Sequence, residues 1–179
     1  MTAPARVMVV MGVSGAGKST LGRALAARGG FDFQEGDDLH SPGNRAKMAS
    51  GRPLTDADRV PWLDRIAAWI DRELETRRSG VIACSVLKRA YRSRIGVGRP
   101  DIVLVFLDGP RDVLAQRLAM RRGHFMPPQL LESQLEDLEP PAEVERPIKI
   151  DLRQPIEAQV DAVFAALAAG PQPPWPNPG

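Results

Sequence analysis

A single cysteine, Cys84, excludes an intramolecular disulfide framework and any cysteine-built zinc site. No apolar run approaches the roughly 20 residues that crossing a bilayer requires, so a membrane is not an expected partner. There is no run of basic residues, no zinc-finger spacing and no interleaving of aromatic with basic side chains. Nucleic acid is therefore not an expected partner either. Lysine is scarce. Only Lys18, Lys47, Lys88 and Lys149 contribute to the 24 cations, against 22 carboxylates, and the remainder are arginines. Arginine grips phosphate and carboxylate in a bidentate fork, so this bias fits an anionic ligand as readily as a compositional habit. What is present is ordinary globular material, 43% hydrophobic and 26% charged over 179 residues. That length fits one domain, expected over residues 1–170, which can bury its core without staples. The first residues carry Arg6 and then a strand-like run, where a secretory signal would close on a small-residue cleavage site. The cytoplasm is the expected compartment.

Strand and helix signals alternate along the chain. RVMVVM at 6–11 reads as a buried parallel strand, and Leu21 and Leu25 as a helix ending near Gly29–Gly30. FDFQ at 31–34 is a short second strand, followed by a polar stretch with one helix around 43–50. Pro61 suits a first helical turn, and Leu63, Ile66, Ile70 and Leu74 predict an amphipathic helix over 60–78, stopped by Gly80. Strands are expected at 81–86, 101–108 and 148–152, with helices at 88–95, after Pro110, and from Pro155 to 168. Residues 121–140, with their arginines and prolines, read as a helical excursion outside the sheet. Residues 171–179 hold five prolines and read as a flexible tail. Such alternation predicts a parallel sheet covered on both faces, with the ligand site beyond the carboxyl ends of its strands.

One motif is unmistakable. Gly12-Val13-Ser14-Gly15-Ala16-Gly17-Lys18-Ser19 matches G-x-x-x-x-G-K-[ST] between a strand and a helix. The glycines let the backbone wrap with its N–H groups inward, and the helix start adds its positive end. Lys18 reaches the β- and γ-phosphates, Ser19 offers its hydroxyl to Mg2+, and Thr20 can bond near the α-phosphate. The implied ligand is ATP with Mg2+. No [NT]-K-x-D segment reads guanine, so a GTPase is not expected. A small-molecule kinase is the natural class at this length. Asp37, after Gly36, can orient or accept the acceptor's hydroxyl proton and hold Mg2+ through water. His40 can bond substrate hydroxyls. Lys88, Arg89, Arg92 and Arg94 follow the third strand and suit an anionic acceptor. Arg117 and Arg121 share a helix face, where they can neutralise charge on a transferring phosphoryl group. Cys84 reads as a small buried hydrophobe, and Trp62 and Trp69, seven apart, as core or subunit-interface packing.

With these residues in place the chain resembles the P-loop gluconate kinases, the thermoresistant gluconokinase family within the nucleoside-monophosphate-kinase-like group. The matching segments are MGVSGAGKST at 11–20, EGDDLH at 35–40, NRAKMASGRPLTDADRVPWL at 44–63, CSVLKRAYR at 84–92, RLAMRRGHFMPPQLLESQLEDLE at 117–139 and IDLRQP at 150–155. The resemblance implies a three-layer α/β fold, with a five-stranded parallel sheet flanked by helices and a mobile arginine-bearing lid at about 121–140. It implies transfer of the ATP γ-phosphate to the 6-hydroxyl of D-gluconate, and a homodimer. It places catalytic roles on Lys18, Asp37 and Arg121, and ATP contacts on residues 12–20 with Arg117. Substrate contacts fall on Asp37, His40, Lys47, Arg59, Lys88, Arg89, Arg92 and His124. Where the family commonly has His-Pro, Ser41 intervenes before Pro42. The alternatives are a shikimate or nucleotide kinase of the same fold, and a non-catalytic nucleotide-binding module.

Overall fold

The computed structural model describes residues 5–120 and 128–170. Val7–Met11, β1, is buried at every position, as a valine-rich strand covered on both faces must be. Four further strands lie parallel with it: β2 (Asp32–Glu35), β3 (Gly80–Ala83), β4 (Ile102–Asp108) and β5 (Ile148–Asp151). Their order is β2-β3-β1-β4-β5, so β1 is central. The helices of the described residues are α1 (Lys18–Gly29), α2 (Pro42–Ala49), α3 (Asp56–Glu75), α4 (Arg89–Arg94), α5 (Arg111–Ala119), α6 (Pro128–Asp137) and α7 (Ile156–Ala168). None is long and apolar enough to cross a membrane.

Strand alternation divides the core in two. Met8, Val10, Val81, Val105, Leu107 and Ile150 share a cluster with Leu21 and Leu25 of α1, Leu114 and Leu118 of α5, Leu131 of α6 and Val160 and Val163 of α7. Val7, Val9, Met11, Ile82, Leu104 and Phe106 pack instead with Trp62, Ile66, Trp69 and Ile70 of α3 and with Tyr91 of α4. Successive side chains of one strand thus feed opposite layers. This is the expected three-layer arrangement. Both tryptophans are core residues in it, and Cys84 is buried as expected.

Three boundaries around α3 and β3 differ from the sequence pattern. Helix α3 begins at Asp56, not at 60, because Thr55 and Asp58 form a reciprocal cap. The Thr55 hydroxyl accepts from the Asp58 N–H at 3.1 Å, and the Asp58 carboxylate accepts from the Thr55 N–H at 2.8 Å. Pro61 therefore lies inside the helix. It forfeits one backbone bond, a cost the cap and the buried tryptophan face offset. The helix then ends at Glu75, and Gly80 opens β3 instead of stopping α3. A Cβ at Gly80 would lie 2.6 Å from the Trp69 ring. The third strand is also shorter than 81–86, since the chain turns away after Ala83.

The expectation that Arg92 binds substrate is corrected here. Arg92 is fully buried. Its Nε and Nη2 fork onto the Glu145 carboxylate at 2.6 and 3.1 Å, and its Nη1 donates to the carbonyls of Val86 and Leu87 at 3.2 and 2.8 Å. Glu145 closes a 3-10 turn, Glu143–Glu145, just before β5. The guanidinium ties α4 to the chain entering β5 and is committed there. Removing one partner strands the other charge in a buried place, at a cost of roughly 3–5 kcal/mol. Arg92→Ala should lose that much in urea unfolding. Replacing both groups, Arg92→Met with Glu145→Leu, should lose much less.

Candidate active site

The phosphate loop bridges β1 and α1. Gly17 caps the helix in the left-handed region, with φ 98°, so glycine is needed there. The cap makes no side-chain hydrogen bond, so no capping group competes with an anion for the helix's positive end. The Lys18 ammonium donates back across the loop to the Val13 carbonyl at 3.1 Å. Arg117 of α5 stands behind the loop. Its guanidinium donates to the Ala16 carbonyl at 3.2 Å and to the Leu152 carbonyl in the IDLRQP turn. One side chain therefore fastens the loop to the segment that follows β5. On the loop's other side, Gln134 of α6 accepts from the Ser14 N–H at 2.7 Å and donates to the Ser14 hydroxyl at 3.2 Å.

At the same edge of the parallel sheet, β2 delivers a 3-10 turn, Gly36–Leu39, that carries Asp37. The turn is seated by close approach. A Cβ on Gly36 would lie 2.5 Å from the Ala83 carbonyl oxygen. The indole N–H of Trp62 donates to the Gly36 carbonyl at 2.8 Å. Asp37 itself is exposed. The buried thiol of Cys84, just past β3, feels the charges of Lys18, Asp37 and Glu35. Burial, more than these charges, pushes that thiol well above its ordinary range.

His40 ends this turn. It is buried and stacks on Trp62, with ring centroids 4.4 Å apart and planes 12° from parallel. Burial holds its pKa down to about 4. Asp37 opposes the shift, and Arg59, Arg65 and Arg45 reinforce it. The imidazole is therefore neutral at pH 7. Among the described residues its Nδ1 has no hydrogen-bond partner. The segment around it is laced by arginines: Arg45 donates to the carbonyls of Asp38 and His40, and Arg65 to that of Leu39. The inserted Ser41 caps α2, accepting from the Asn44 N–H at 3.1 Å, with Pro42 in the first turn.

The expected substrate cations lie on α2, on α3 and around the start of α4. Lys47 binds Asp58 at 2.6 Å; with the Thr55 cap, this holds that carboxyl down to about 2. Lys88 binds Asp56 at 3.0 Å and approaches Asp137 at 3.7 Å. Arg59 donates to the Tyr91 hydroxyl at 3.0 Å, and that hydroxyl donates to Asp56. Arg59 also lies 4.0 Å from Asp137. Lys88, Arg59, Asp56, Tyr91 and Asp137 thus form one network joining α3, α4 and α6. Arg89 is exposed, and its N–H donates to Glu139 at 2.7 Å. Thr20 is exposed on the first turn of α1, beside Ser19. Arg121, Arg122, His124 and Phe125, with part of the expected lid and the tail at 171–179, lie outside the described residues.

Comparison with known proteins agrees with this geometry. Residues 14–161 match the family model described as shikimate kinase. A gluconokinase of Gluconobacter oxydans is 48% identical over 145 residues, spanning 81% of this chain and 82% of that protein. The chain belongs to the gluconokinase family of phosphate-loop kinases. The thermoresistant gluconokinase of Escherichia coli is 38% identical over 92% of this chain and 94% of its own. The crystal structure of a gluconokinase from Sinorhizobium meliloti superposes with a TM-score of 0.82 at 46% identity, covering 93% of each chain. An ATP-dependent kinase with a five-stranded parallel sheet is what these relatives and the fold jointly establish.

Sequence reasoning missed three participants in this family member's site. Trp62 was visible only as a packing residue, yet it holds both Gly36 and His40. Asp56 stood in a D-x-D-R segment with no sign of its distant partners Lys88 and Tyr91. Gln134 lay in a matching segment with no chemistry attached. The burial of His40 generates a pH prediction. Its folded pKa, about 4, lies below the ordinary 6.5. The folded protein therefore binds fewer protons than the unfolded chain between these values. This share of stability is complete above pH 6.5 and is lost as pH falls through 4, by roughly 3 kcal/mol at most. His40→Phe keeps the stack and removes the titration. Its melting temperature should fall less steeply than the parent's between pH 6.5 and 4.

Proposed function

We propose that the chain transfers the γ-phosphate of ATP to the 6-hydroxyl of D-gluconate, giving 6-phospho-D-gluconate and ADP. The observation that carries this reading is the 38–48% identity to the gluconokinases named above, in a chain whose phosphate loop and residues 36–40 follow β1 and β2 at one edge of the same parallel sheet. The acceptor is small, carries one carboxylate and presents a row of hydroxyls. A neutral, buried His40 suits a hydroxyl and not a second anion. The basic residues Lys47, Arg59, Lys88 and Arg89 suit the carboxylate.

In the reaction so read, Asp37 accepts the proton of the attacking 6-hydroxyl as its oxygen bonds the γ-phosphorus. The bond from that phosphorus to the β-γ bridging oxygen breaks, and ADP leaves. Lys18 and the loop over residues 12–20, through those of its N–H groups not bonded to Gln134 or Val13, hold the phosphates and offset charge on the transferring oxygens. Arg117 shapes the nucleotide side, and Arg121 contributes charge at the transferring group. His124 follows as a substrate contact. The Ser19 hydroxyl, with Asp37 through water, would hold Mg2+, which would supply charge neutralisation on the triphosphate. The donor set suits a cation arriving on phosphate. Among the described residues no three His, Cys, Asp or Glu side chains gather to cage a metal. A cytoplasmic homodimer, with residues 1–170 as one kinase domain and a lid at 121–140, completes the proposal.

The test is ADP release with Mg-ATP and one acceptor at a time: D-gluconate, shikimate, AMP or none. Turnover with gluconate alone is expected, with the phosphorylated product confirmed by mass. Activity only with shikimate would instead follow the name of the matching family model. Asp37→Asn should keep ATP binding and lower kcat by about 100-fold or more. Unchanged turnover would remove Asp37 from the chemistry. Arg121→Ala should lower kcat far more than it raises KM for gluconate, and equal effects on both would remove the phosphate-clamp role.

A further inference from the structure

Helix α6 is anchored independently at several points. Leu131 is buried in the core cluster that also contains Val13, Ala16, Leu114 and Leu118. Glu132 pairs with Arg111 of α5. Just beyond the helix, the Glu139 N–H donates to the Leu87 carbonyl at 3.0 Å, and its carboxylate accepts from the Arg89 N–H. In this arrangement Gln134 sits on the part of the proposed lid that is anchored to the core, to α5 and to the chain before α4. Its amide meets Ser14 twice, 120 positions away in sequence. The oxygen accepts the peptide N–H at 2.7 Å, and the nitrogen donates to the hydroxyl at 3.2 Å.

The geometry points to Gln134 as a positioning residue for the phosphate loop, holding the crest of the loop at Ser14 so that the following N–H groups face the nucleotide phosphates. This rests on the reading of the loop as the ATP site, not on the identity of the acceptor. The reason is conformational. The loop presents its N–H groups inward only if its third residue keeps one orientation, and the glycines on either side, Gly12 and Gly15, give the backbone freedom to lose it. Two bonds from this anchored helix restrict that freedom, so less ordering remains to be done on binding. The Ser14 N–H serves Gln134 and the Ala16 N–H donates to the Val13 carbonyl at 3.2 Å, so the N–H of Gly15 between them and the positive end of α1 face the phosphate side. Arg117 performs the matching task from behind, at the Ala16 carbonyl.

Gln134→Met keeps the length of the side chain and deletes both bonds. Titration calorimetry with a non-hydrolysable Mg-ATP analogue, and no acceptor, reads the loop directly. Its Kd should rise about tenfold, the scale of one partly buried donor left unpaired. KM for gluconate should stay within about twofold, as expected of a change confined to the nucleotide side. Should the methionine variant fail to fold, Gln134→Glu still accepts from the Ser14 N–H but sets a carboxylate beside the triphosphate. Its Kd should rise by at least as much, and the rise should shrink with added salt. A Kd within twofold of the parent's, for whichever variant folds, would overturn the proposal and leave Gln134 as a packing residue of α6. Because no acceptor is present, failure of the gluconate assignment would leave this measurement intact.

Discussion

The turn from β1 into α1 constrains everything else at the site. A loop that points its N–H groups inward must start from a strand held rigidly in place and end in a helix whose amino end is open. β1 meets the first condition by lying in the middle of the sheet, buried at each of its positions. Gly17 meets the second, with a left-handed cap and no competing side chain. The remaining parallel strands then deliver their carboxyl ends to the same edge. That is why residues 36–40, after β2, and Lys88, after β3, can meet at one site at all.

Trp62 is the second pivot. It belongs to the core beneath the site, yet its indole reaches up to the Gly36 carbonyl and its face carries His40. Packing and chemistry are thereby coupled. The same ring that fills the layer beneath β1 and β3 sets the height of the turn bearing Asp37 and keeps the imidazole dry and neutral. Cys84 shares this ground as a buried neighbour of Lys18 and Asp37. Its thiol stays protonated because burial outweighs the nearby ammonium.

The arginine-rich composition resolves into distinct tasks. Arg92 is buried and spends its fork on Glu145. Arg45 and Arg65 satisfy backbone carbonyls around the histidine turn, and Arg117 does so around the phosphate loop. Arg94, Arg99 and Arg153 make solvent-exposed pairs with aspartates, contacts that contribute little to stability. Arg59, with Lys88, joins α3, α4 and α6 through Tyr91, Asp56 and Asp137. The planar five-donor fork suits each of these uses, so arginine content alone could not rank them.

The sequence by itself determined the phosphate loop, the strand–helix alternation, the burial of Cys84 and the resemblance to the gluconokinases. Each of these is local. A strand, a glycine turn and a helix start are specified by neighbours within a few residues, through backbone freedom and the spacing of apolar side chains. The start of α3 was legible too, in Thr55 and Asp58, but Pro61 was the louder signal and drew the boundary inward. Tertiary structure alone decided which basic residue after β3 serves the frame, that His40 is neutral, and that Gln134 grips Ser14. These depend on partners 53, 22 and 120 positions away: Glu145 for Arg92, Trp62 for His40, Ser14 for Gln134. A side chain's charge state and role follow from what surrounds it after folding, and no spacing along the chain encodes those surroundings.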